Sequence, residues 1–194
     1  MDDTTRHHDD DDLELVERVL AAPADLRPFE QLVRRHEGKV LANCRYITGS
    51  ADDAQDLAQE VFVKTYFGLR RFRGDARFGT WLQRIKVNHC LNFLRKRKQE
   101  RAVDVDDPAV ATADSMRVAP AGEADLAARD RRRRIAAALD RVPETLRIPL
   151  VMCDLDEMSY QEIADELGLG LSAVKMRIKR GREEFRRAFA GRDE

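Results

Sequence analysis

The chain has 194 residues, of which 37% are charged and only 6% are aromatic. This length allows one or two small domains, and this composition is typical of helical bundles with modest cores and excludes a large enzyme core. The formal net charge is −1, but basic residues are concentrated at 84–101 and 175–187, and acidic residues at 2–12 and 104–125. Because nucleic-acid affinity depends on local basic patches, the near-neutral sum does not argue against DNA binding.

The first segment, residues 1–12, is polar and acidic. We predict a disordered tail, and we interpret its two histidines as part of that tail and not as a metal site. The segment does not resemble a signal peptide. No apolar run in the chain approaches the ~20 residues that a membrane-spanning helix needs, so we expect a cytoplasmic protein without membrane insertion.

The three cysteines, Cys44, Cys90 and Cys153, are widely spaced and form no C-x-x-C pair. Structural zinc requires clustered ligands, and a disulfide framework requires an even, dense set of cysteines. We interpret these residues as reduced, mostly buried thiols of a cytosolic protein, with a redox role for one of them as the weaker alternative. We predict no metal and no other cofactor.

Four helices are predicted in segment 13–101, which we interpret as one domain. Pro28 suits the first turn of the second helix, Gly49 ends that helix, and Ser50 begins an acidic capping box at the start of the third. A loop with two glycines and alternating charges then precedes a long fourth helix. The expected bounds are 13–22 and 28–46 for the first two helices, 70–79 for the loop and 80–98 for the fourth helix.

Residues 102–125 are rich in Ala, Asp, Val and Pro and show no helical stripe, which predicts a flexible acidic linker. A linker of this length separates domains, because unstructured loops this long are rare within one compact domain. The second predicted domain spans 126–190. Pro143 suits the first turn of its second helix, and Pro149 lies within that helix, where it predicts a kink or a lost hydrogen bond.

Segment 159–185 has the pattern of a DNA-reading helix-turn-helix. Ser159 and Glu162 fit a capping box at the start of a short amphipathic helix, and Gly168 suits its left-handed C-terminal cap. A cationic helix follows, which is the arrangement that docks in the major groove; an ordinary amphipathic pair with a solvated basic face is the weaker alternative. The inner stripe of the cationic helix is Val174, Ile178, Gly181 and Phe185.

Four segments in combination resemble bacterial RNA polymerase sigma factors, most closely the small extracytoplasmic-function (ECF) branch of the sigma-70 superfamily. They are DAQDLAQEVF at 53–62, FRGDARFGTWLQRIKVN at 72–88, VPETLRIPL at 142–150 and SYQEIADEL at 159–167. The resemblance covers residues 13–100 and 126–189. It implies an all-α fold, with a four-helix region 2-like domain and a helix-turn-helix region 4-like domain joined by the linker.

The resemblance implies that the third helix docks on the clamp helices of the polymerase core. Asp53, Asp56, Gln59 and Glu60 would then face the polymerase, where charge complementarity would set orientation and on-rate. From spacing alone, a solvated helix face with acids at its N-terminus is the favoured alternative. The resemblance also implies a contact of the second domain with the polymerase flap, and an anti-sigma partner.

The same resemblance implies that loop 70–79 and the fourth helix read the melted −10 element. An unstacked base requires amides, backbone groups and phosphate-neutralising cations around it. The expected contacts are Arg71, Arg73, Gly74, Asp75, Arg77, Phe78, Lys86, Asn88, His89, Asn92 and Arg95. Core packing is the favoured role of Trp81, whereas for Phe72 and Phe78 stacking on bases and packing remain equal alternatives.

The second domain would read the −35 element as duplex. We expect groove contacts from Ser172, Ala173, Met176 and Arg177. The expected phosphate contacts are Lys175, Lys179, Arg180 and Arg182. Family members often have Ser at the cap of this helix and Gly-Thr just inside it, whereas this chain has Gly170 and then Ser172-Ala173, so one hydroxyl contact is missing. Glu162 is assigned to the helix cap and not to DNA.

The leading hypothesis is therefore a promoter-specificity factor without an active site of its own, which binds the polymerase core and both duplex and single-stranded promoter DNA. Its acidic linker would approach the polymerase active-site region. A stand-alone helix-turn-helix regulator is the alternative, but it leaves the third helix and the basic loop without a purpose. An enzyme has little support, since the chain lacks a Gly-rich phosphate loop, metal-spaced ligands and a nucleophile motif.

Overall fold

The computed structural model describes residues 3–103 and 123–191, and the side chains of 11–100 and 128–191. This part of the chain contains eight α-helices, one 3-10 turn and no strand, as the all-α prediction requires. The helices are α1 (Asp3–Ala21), α2 (Arg27–Thr48), α3 (Ala51–Gly68), α4 (Phe78–Val103), α5 (Glu123–Leu139), α6 (Glu144–Asp154), α7 (Tyr160–Leu167) and α8 (Leu171–Ala190), with the 3-10 turn at Leu69–Arg71. None of these helices combines the length and apolar character needed to cross a membrane.

Helices α1 to α4 form the first domain. The bounds of α2 agree with the prediction to within two residues, whereas α1 begins ten residues earlier and α4 ends five residues later than predicted. Gly49 ends α2 in the left-handed conformation, with φ of 76°, and its N–H donates to the carbonyl of Arg45. Ser50 caps α3 by accepting a hydrogen bond from the N–H of Asp53. Helix α4 begins at Phe78, two residues before its predicted start, so Gly79 belongs to the helix and not to the loop.

The prediction of a disordered tail is wrong for residues 3–12, because α1 begins at Asp3. Asp12, only 2% exposed, explains part of this difference. Its carboxylate accepts a hydrogen bond from Nη1 of Arg35 at 3.0 Å and lies 2.7 Å from Nε2 of His36. A buried carboxylate with two partners on α2 anchors α1, and no local acidic pattern indicates such a contact in advance.

Helices α5 to α8 form the second domain. Pro143 is the N-cap of α6, and Pro149 lies inside that helix, where it provides no N–H to the helical ladder. The capping box at the start of α7 is confirmed: Ser159 accepts from the N–H of Glu162, while the Glu162 carboxylate accepts from the N–H of Ser159. Gly168 then caps α7 with φ of 63°, as predicted.

The predicted linker 102–125 is described only at its two ends, which belong to α4 and α5; residues 104–122 lie outside the described part. The two domains pack against each other and share one continuous apolar core. Helix α2 contacts both α5 and α6. Arg45 of α2 binds Asp140 through two hydrogen bonds of 2.8 and 2.6 Å, and Arg147 of α6 donates to the carbonyl of Ile47.

Candidate nucleic-acid and polymerase interfaces

Helix α8 presents one buried and one exposed face. Val174, Ile178 and Gly181 are buried towards α6 and α7, as the predicted inner stripe requires. The N-cap, Gly170, has no side chain to close the helix end, so the first backbone N–H groups of α8 lack a side-chain cap. The exposed residues among the predicted −35 contacts are Ser172, Ala173, Lys175, Met176, Lys179, Arg180 and Arg182, whereas Arg177 is half-buried.

Arg182 differs from the other predicted phosphate contacts, because α6 already holds its guanidinium. Its Nε and Nη2 donate to the two carboxylate oxygens of Asp154 at 2.9 and 2.6 Å. These hydrogen bonds raise the pKa of Arg182 and lower that of Asp154. A phosphate contact by Arg182 therefore has to compete with a bidentate ion pair within the domain.

Several predicted −10 contacts meet in a shallow groove between α3 and α4. Asn88, His89 and Asn92 line it, beside Trp81 and Ile85 and the two cations Lys64 and Arg84. Asn92 accepts a hydrogen bond from Arg95 at 3.0 Å. The groove thus combines amides, an imidazole and cations next to an apolar floor, which is the chemistry that an unstacked base requires.

The loop that precedes α4 supplies exposed cations near this groove. Arg71, Arg73 and Arg77 are exposed, as is Asp75. Gly74 adopts φ of 74°, a left-handed conformation that favours glycine, and nothing lies within 4 Å of where its Cβ would be. The backbone at Gly74 is therefore open to close approach by a strand of DNA.

For Phe78, the structure favours packing over the alternative of stacking on bases, because this side chain is part of the core. Phe78 is 1% exposed, and its ring lies 5.3 Å from His36, 6.1 Å from Phe72 and 6.0 Å from Trp81, measured between centroids. Trp81 packs in the same aromatic cluster, as favoured from the sequence, and also contacts Phe72 at 5.1 Å. The cluster anchors the start of α4.

The predicted DNA contact of Lys86 also needs correction in this arrangement of the domains. Its side chain is fully buried, and its Nζ lies 2.5 Å from both carboxylate oxygens of Asp156, between α6 and α7. Asn43 of α2 donates to the same carboxylate. Burial raises the pKa of Asp156, while the Lys86 cation opposes that increase.

Two further acids of the second domain contact α4. Glu162 lies 2.5 Å from Arg84, and Glu166 accepts a hydrogen bond from Asn88 at 3.4 Å. The cap hydrogen bond from the N–H of Ser159, followed by the bond from Arg84, lowers the pKa of Glu162 to about 2. Sequence patterns did not predict these contacts, because their partners lie more than seventy residues apart.

The exposed face of α3 carries most of the predicted polymerase contacts. Asp56, Gln59 and Glu60 are exposed, whereas Asp53 is half-buried and bound to Arg97 of α4 at 2.9 Å. Glu60 also lies 2.8 Å from Nε2 of His89, at ion-pair distance but without hydrogen-bond geometry. The predicted polymerase surface therefore adjoins the groove between α3 and α4.

Two apolar residues of α3 were not assigned a role from the sequence. Val63 is 55% exposed and Phe67 is 75% exposed. They follow Asp56 and Glu60 at helical spacing, so the acidic stripe of α3 continues as an apolar one. The helical spacing could have indicated this apolar extension from the sequence, since it places Phe67 on the same face of α3 as the acids.

The cysteines are free thiols, with Cys44 and Cys90 buried and Cys153 half-buried. Although distant in sequence, Cys44 and Cys90 are neighbours in the core, with 3.6 Å between their Sγ atoms. Within residues 11–100 and 128–191, no three His, Cys, Asp or Glu side chains are arranged to hold a metal ion.

Comparison with known families identifies both domains. A model of Sigma-70 region 2 matches residues 32–100, and a model of Sigma-70, region 4 matches residues 132–185. The RNA polymerase sigma-H factor of Pseudomonas aeruginosa is 32% identical over 182 residues, which are 92% of this chain and 93% of the relative. The ECF RNA polymerase sigma-E factor of Escherichia coli K12 is 34% identical over 174 residues, with coverage of 87% and 89%.

Solved structures show the same fold. CnrH, in complex with the cytosolic domain of CnrY, aligns with a TM-score of 0.57 and 27% identity over 94% of this chain and 99% of that chain. The sigma factor RpoE of Bartonella quintana, in complex with the anti-sigma factor NepR, aligns with a TM-score of 0.61 over 84% and 96%. At 21% identity, the second comparison supports the fold alone.

Proposed function

Because the chain belongs to the sigma-70 family of RNA polymerase sigma factors, in its ECF branch, we propose which of its surfaces perform each step of promoter recognition. As a sigma factor, the chain directs polymerase to promoters and leaves the chemistry of RNA synthesis to the core enzyme. The proposal therefore concerns binding surfaces and not catalytic groups.

The exposed face of α8 reads the −35 duplex. Exposed Ser172, Ala173 and Met176 lie within the first two turns of α8, and the N-terminal end of a recognition helix is the part that contacts base edges. Apolar Ala173 and Met176 suit the methyl group of thymine. Lys175, Lys179 and Arg180 neutralise phosphates and position the helix without reading sequence, whereas half-buried Arg177 and ion-paired Arg182 contribute less.

The groove between α3 and α4, together with the basic loop, reads the melted −10 strand. This proposal depends on the convergence of Asn88, His89 and Asn92 in one groove, where amides and an imidazole can bind the edges of an unstacked base. Arg71, Arg73 and Arg77 bring positive charge to its approach, and Arg95 positions Asn92. Gly74 and Asp75 form the exposed turn of the loop.

The stripe of Asp56, Gln59 and Glu60 on α3 docks on the polymerase core, with Asp53 in a supporting ion pair. Exposed carboxylates on a rigid, capped helix suit a basic partner surface. The second domain binds the polymerase flap, and the acidic linker approaches the active-site region. The protein is cytoplasmic, where its polymerase partner acts. An anti-sigma factor is its regulatory partner, by analogy with CnrH, which is 27% identical and was solved in complex with the cytosolic domain of CnrY.

Transcription by purified core polymerase on a randomised promoter library tests these assignments together. We expect transcripts from templates that share two separated elements, and none of these with core polymerase alone. Met176→Ala should change the preferred bases of the upstream element only, and Asn88→Ala those of the downstream element only. Unchanged start sites on adding the protein, or variants that change the opposite element, would reject the proposal.

A further inference from the structure

Two of the three cysteines face each other inside the first domain, and promoter recognition uses neither of them. Cys44 lies on α2 and Cys90 on α4, and both side chains are fully buried. The Cys90 thiol donates a hydrogen bond to the Cys44 sulfur, with 3.6 Å between the two Sγ atoms. Since the two residues are 46 positions apart in the chain, it is the packing of α2 on α4 that brings these sulfurs together.

The two thiols are not equivalent, because their surroundings favour a negative charge on only one of them. The hydrogen bond from Cys90 lowers the pKa of Cys44, although burial acts in the opposite direction. The Lys86 cation, one helical turn before Cys90, also lowers the pKa of Cys44, and Asp156 opposes that effect. The same hydrogen bond, together with burial, raises the pKa of Cys90. Cys44 is therefore the nucleophile of the pair, with a second thiol in contact with it.

We propose that Cys44 and Cys90 are a modification site, at which a peroxide converts the two thiols into a reversible disulfide between α2 and α4. An S–S bond of about 2.05 Å requires the sulfurs to approach by roughly 1.5 Å from their present contact. Rotation of both side chains and a small shift of the helices supply that approach. Packing as small apolar residues is the ordinary role of buried cysteines, and that alternative predicts no cross-link.

Hydrogen peroxide supplies the oxidising equivalents, and the atoms balance in two steps. The Cys44 thiolate attacks one oxygen, the O–O bond breaks, and the departing hydroxide takes up the Cys44 proton as water, which leaves a sulfenic acid. The Cys90 sulfur then attacks the Cys44 sulfur, and the sulfenic hydroxyl leaves with the Cys90 proton as a second water. Two thiols lose two electrons, one peroxide gains them, and one S–S bond forms. Burial restricts this chemistry to oxidants close to water in size, which enter when the core opens locally.

The disulfide would fix the part of α4 that lines the groove between α3 and α4. Cys90 directly follows His89 and lies two residues before Asn92, and both of these residues line the groove. A covalent link from this part of α4 to α2 closes a long loop of the unfolded chain, which stabilises the first domain. The link forms within the core, so the inference does not depend on the proposed −10 assignment.

Thiol counting on the full-length protein tests the site directly. The reduced chain contains three thiols. The protein is treated with a small excess of hydrogen peroxide, denatured and alkylated with iodoacetamide. Mass spectrometry should then find one alkylated cysteine, Cys153, and a cross-linked pair of peptides that contain Cys44 and Cys90. Dithiothreitol should restore all three thiols, which separates a disulfide from an irreversible sulfinic acid. Retention of both core thiols, or a disulfide that includes Cys153, would overturn the inference.

Two variants provide matched controls for the roles of the two sulfurs. Cys153→Ser removes the half-buried thiol outside the pair and should form the same cross-link at the native rate. Cys90→Ala should stop at the sulfenic acid of Cys44, which dimedone traps. Circular dichroism under reducing conditions checks that both variants fold, and thiol counting on the native chain decides the question without them. Equal dimedone labelling of Cys44 in the native chain and in Cys90→Ala would overturn the role of Cys90.

Thermal unfolding separates a disulfide that the native packing accommodates from one that forms only in unfolded chains. The oxidised native chain should unfold roughly 5–15 °C above the reduced chain, because the link closes a long loop. Cys153→Ser should show the same increase on oxidation, and Cys90→Ala should show none. A cross-linked chain that unfolds at or below the temperature of the reduced chain would mean that the fold does not accommodate the bond, and the inference would fail.

Discussion

Gly181 of α8 packs directly on the backbone of Leu146 in α6: a Cβ at Gly181 would lie 3.0 Å from the Leu146 carbonyl oxygen and 3.3 Å from Cβ of Leu150. This close approach holds the recognition helix α8 against α6. Neither the carbonyl oxygen of Leu146 nor the Cβ of Leu150 can move aside by a side-chain rotation. The glycine at this position is therefore required by packing and not by backbone conformation.

Gly181→Ala should destabilise the second domain by about 1–3 kcal/mol, because α6 and α8 would have to move apart. Gly38→Ala is the matched control, since Gly38 is an exposed helical position of α2 with nothing within 4 Å of a Cβ. That control should stabilise the first domain by roughly 0.5–1 kcal/mol. Urea unfolding measures both changes, and a stabilised Gly181→Ala would contradict the packing argument.

Glu162→Gln should destabilise the protein in a pH-dependent way. The folded pKa of Glu162, about 2, lies below the ordinary value of 4.5. The charged carboxylate therefore stabilises the fold above pH 4.5, and that stability is lost as the pH falls towards 2. We expect a cost of about 1 kcal/mol at pH 7, typical of cap interactions, that shrinks over this range. Urea unfolding of the native chain and of Glu162→Gln across this pH range measures the cost. A difference in unfolding free energy that does not change with pH would contradict the prediction.

Asp12→Ala should release α1 from α2. It leaves His36 without its carboxylate partner and removes one partner of Arg35. We expect a loss of about 3 kcal/mol, the lower end for breaking a buried pair, because Arg35 keeps access to solvent. Asp11→Ala removes a half-exposed acid 3.5 Å from the same Arg35 and should cost less than about 1 kcal/mol. Thermal unfolding compares the two; equal effects would mean that Asp12 does not anchor the helix.

Lys179→Ala should weaken duplex binding by a similar factor at every −35 sequence, because a phosphate contact carries no base information. It should also reduce the slope of log affinity against log salt by about 1. Fluorescence anisotropy on several promoter duplexes across a salt series measures both. A loss restricted to some sequences would instead make Lys179 a base contact.

Gln59→Ala with Glu60→Ala should impair capture by polymerase core while circular dichroism stays unchanged. Both residues are exposed on α3, and loss of interface anchors typically costs at least about 1 kcal/mol, or roughly fivefold in affinity. Glu30→Ala with Glu37→Ala removes two exposed acids of α2 as a control. If polymerase core captured both double variants equally, the docking surface would have to lie outside this stripe of α3.

Local sequence patterns determined where many of the helices begin and end. Gly49, Ser50, Ser159 and Gly168 occupy the predicted caps, because capping depends on residues within one turn of each other. The stripe of Val174, Ile178 and Gly181 likewise follows from helical periodicity alone. Membership of the family was indicated by four sequence segments in combination, since each segment is too short to be specific by itself.

Tertiary structure alone decided which charged and aromatic residues are available. Lys86 has the sequence signature of a phosphate contact, yet its partner, Asp156, lies seventy residues away on the other domain. Asp12 belongs to an acidic run that favours disorder, yet α2 supplies two partners for it. Burial depends on which surfaces meet after the chain has folded, and local periodicity carries no information about that meeting, so the packing of the two domains against each other could be found only in the structure.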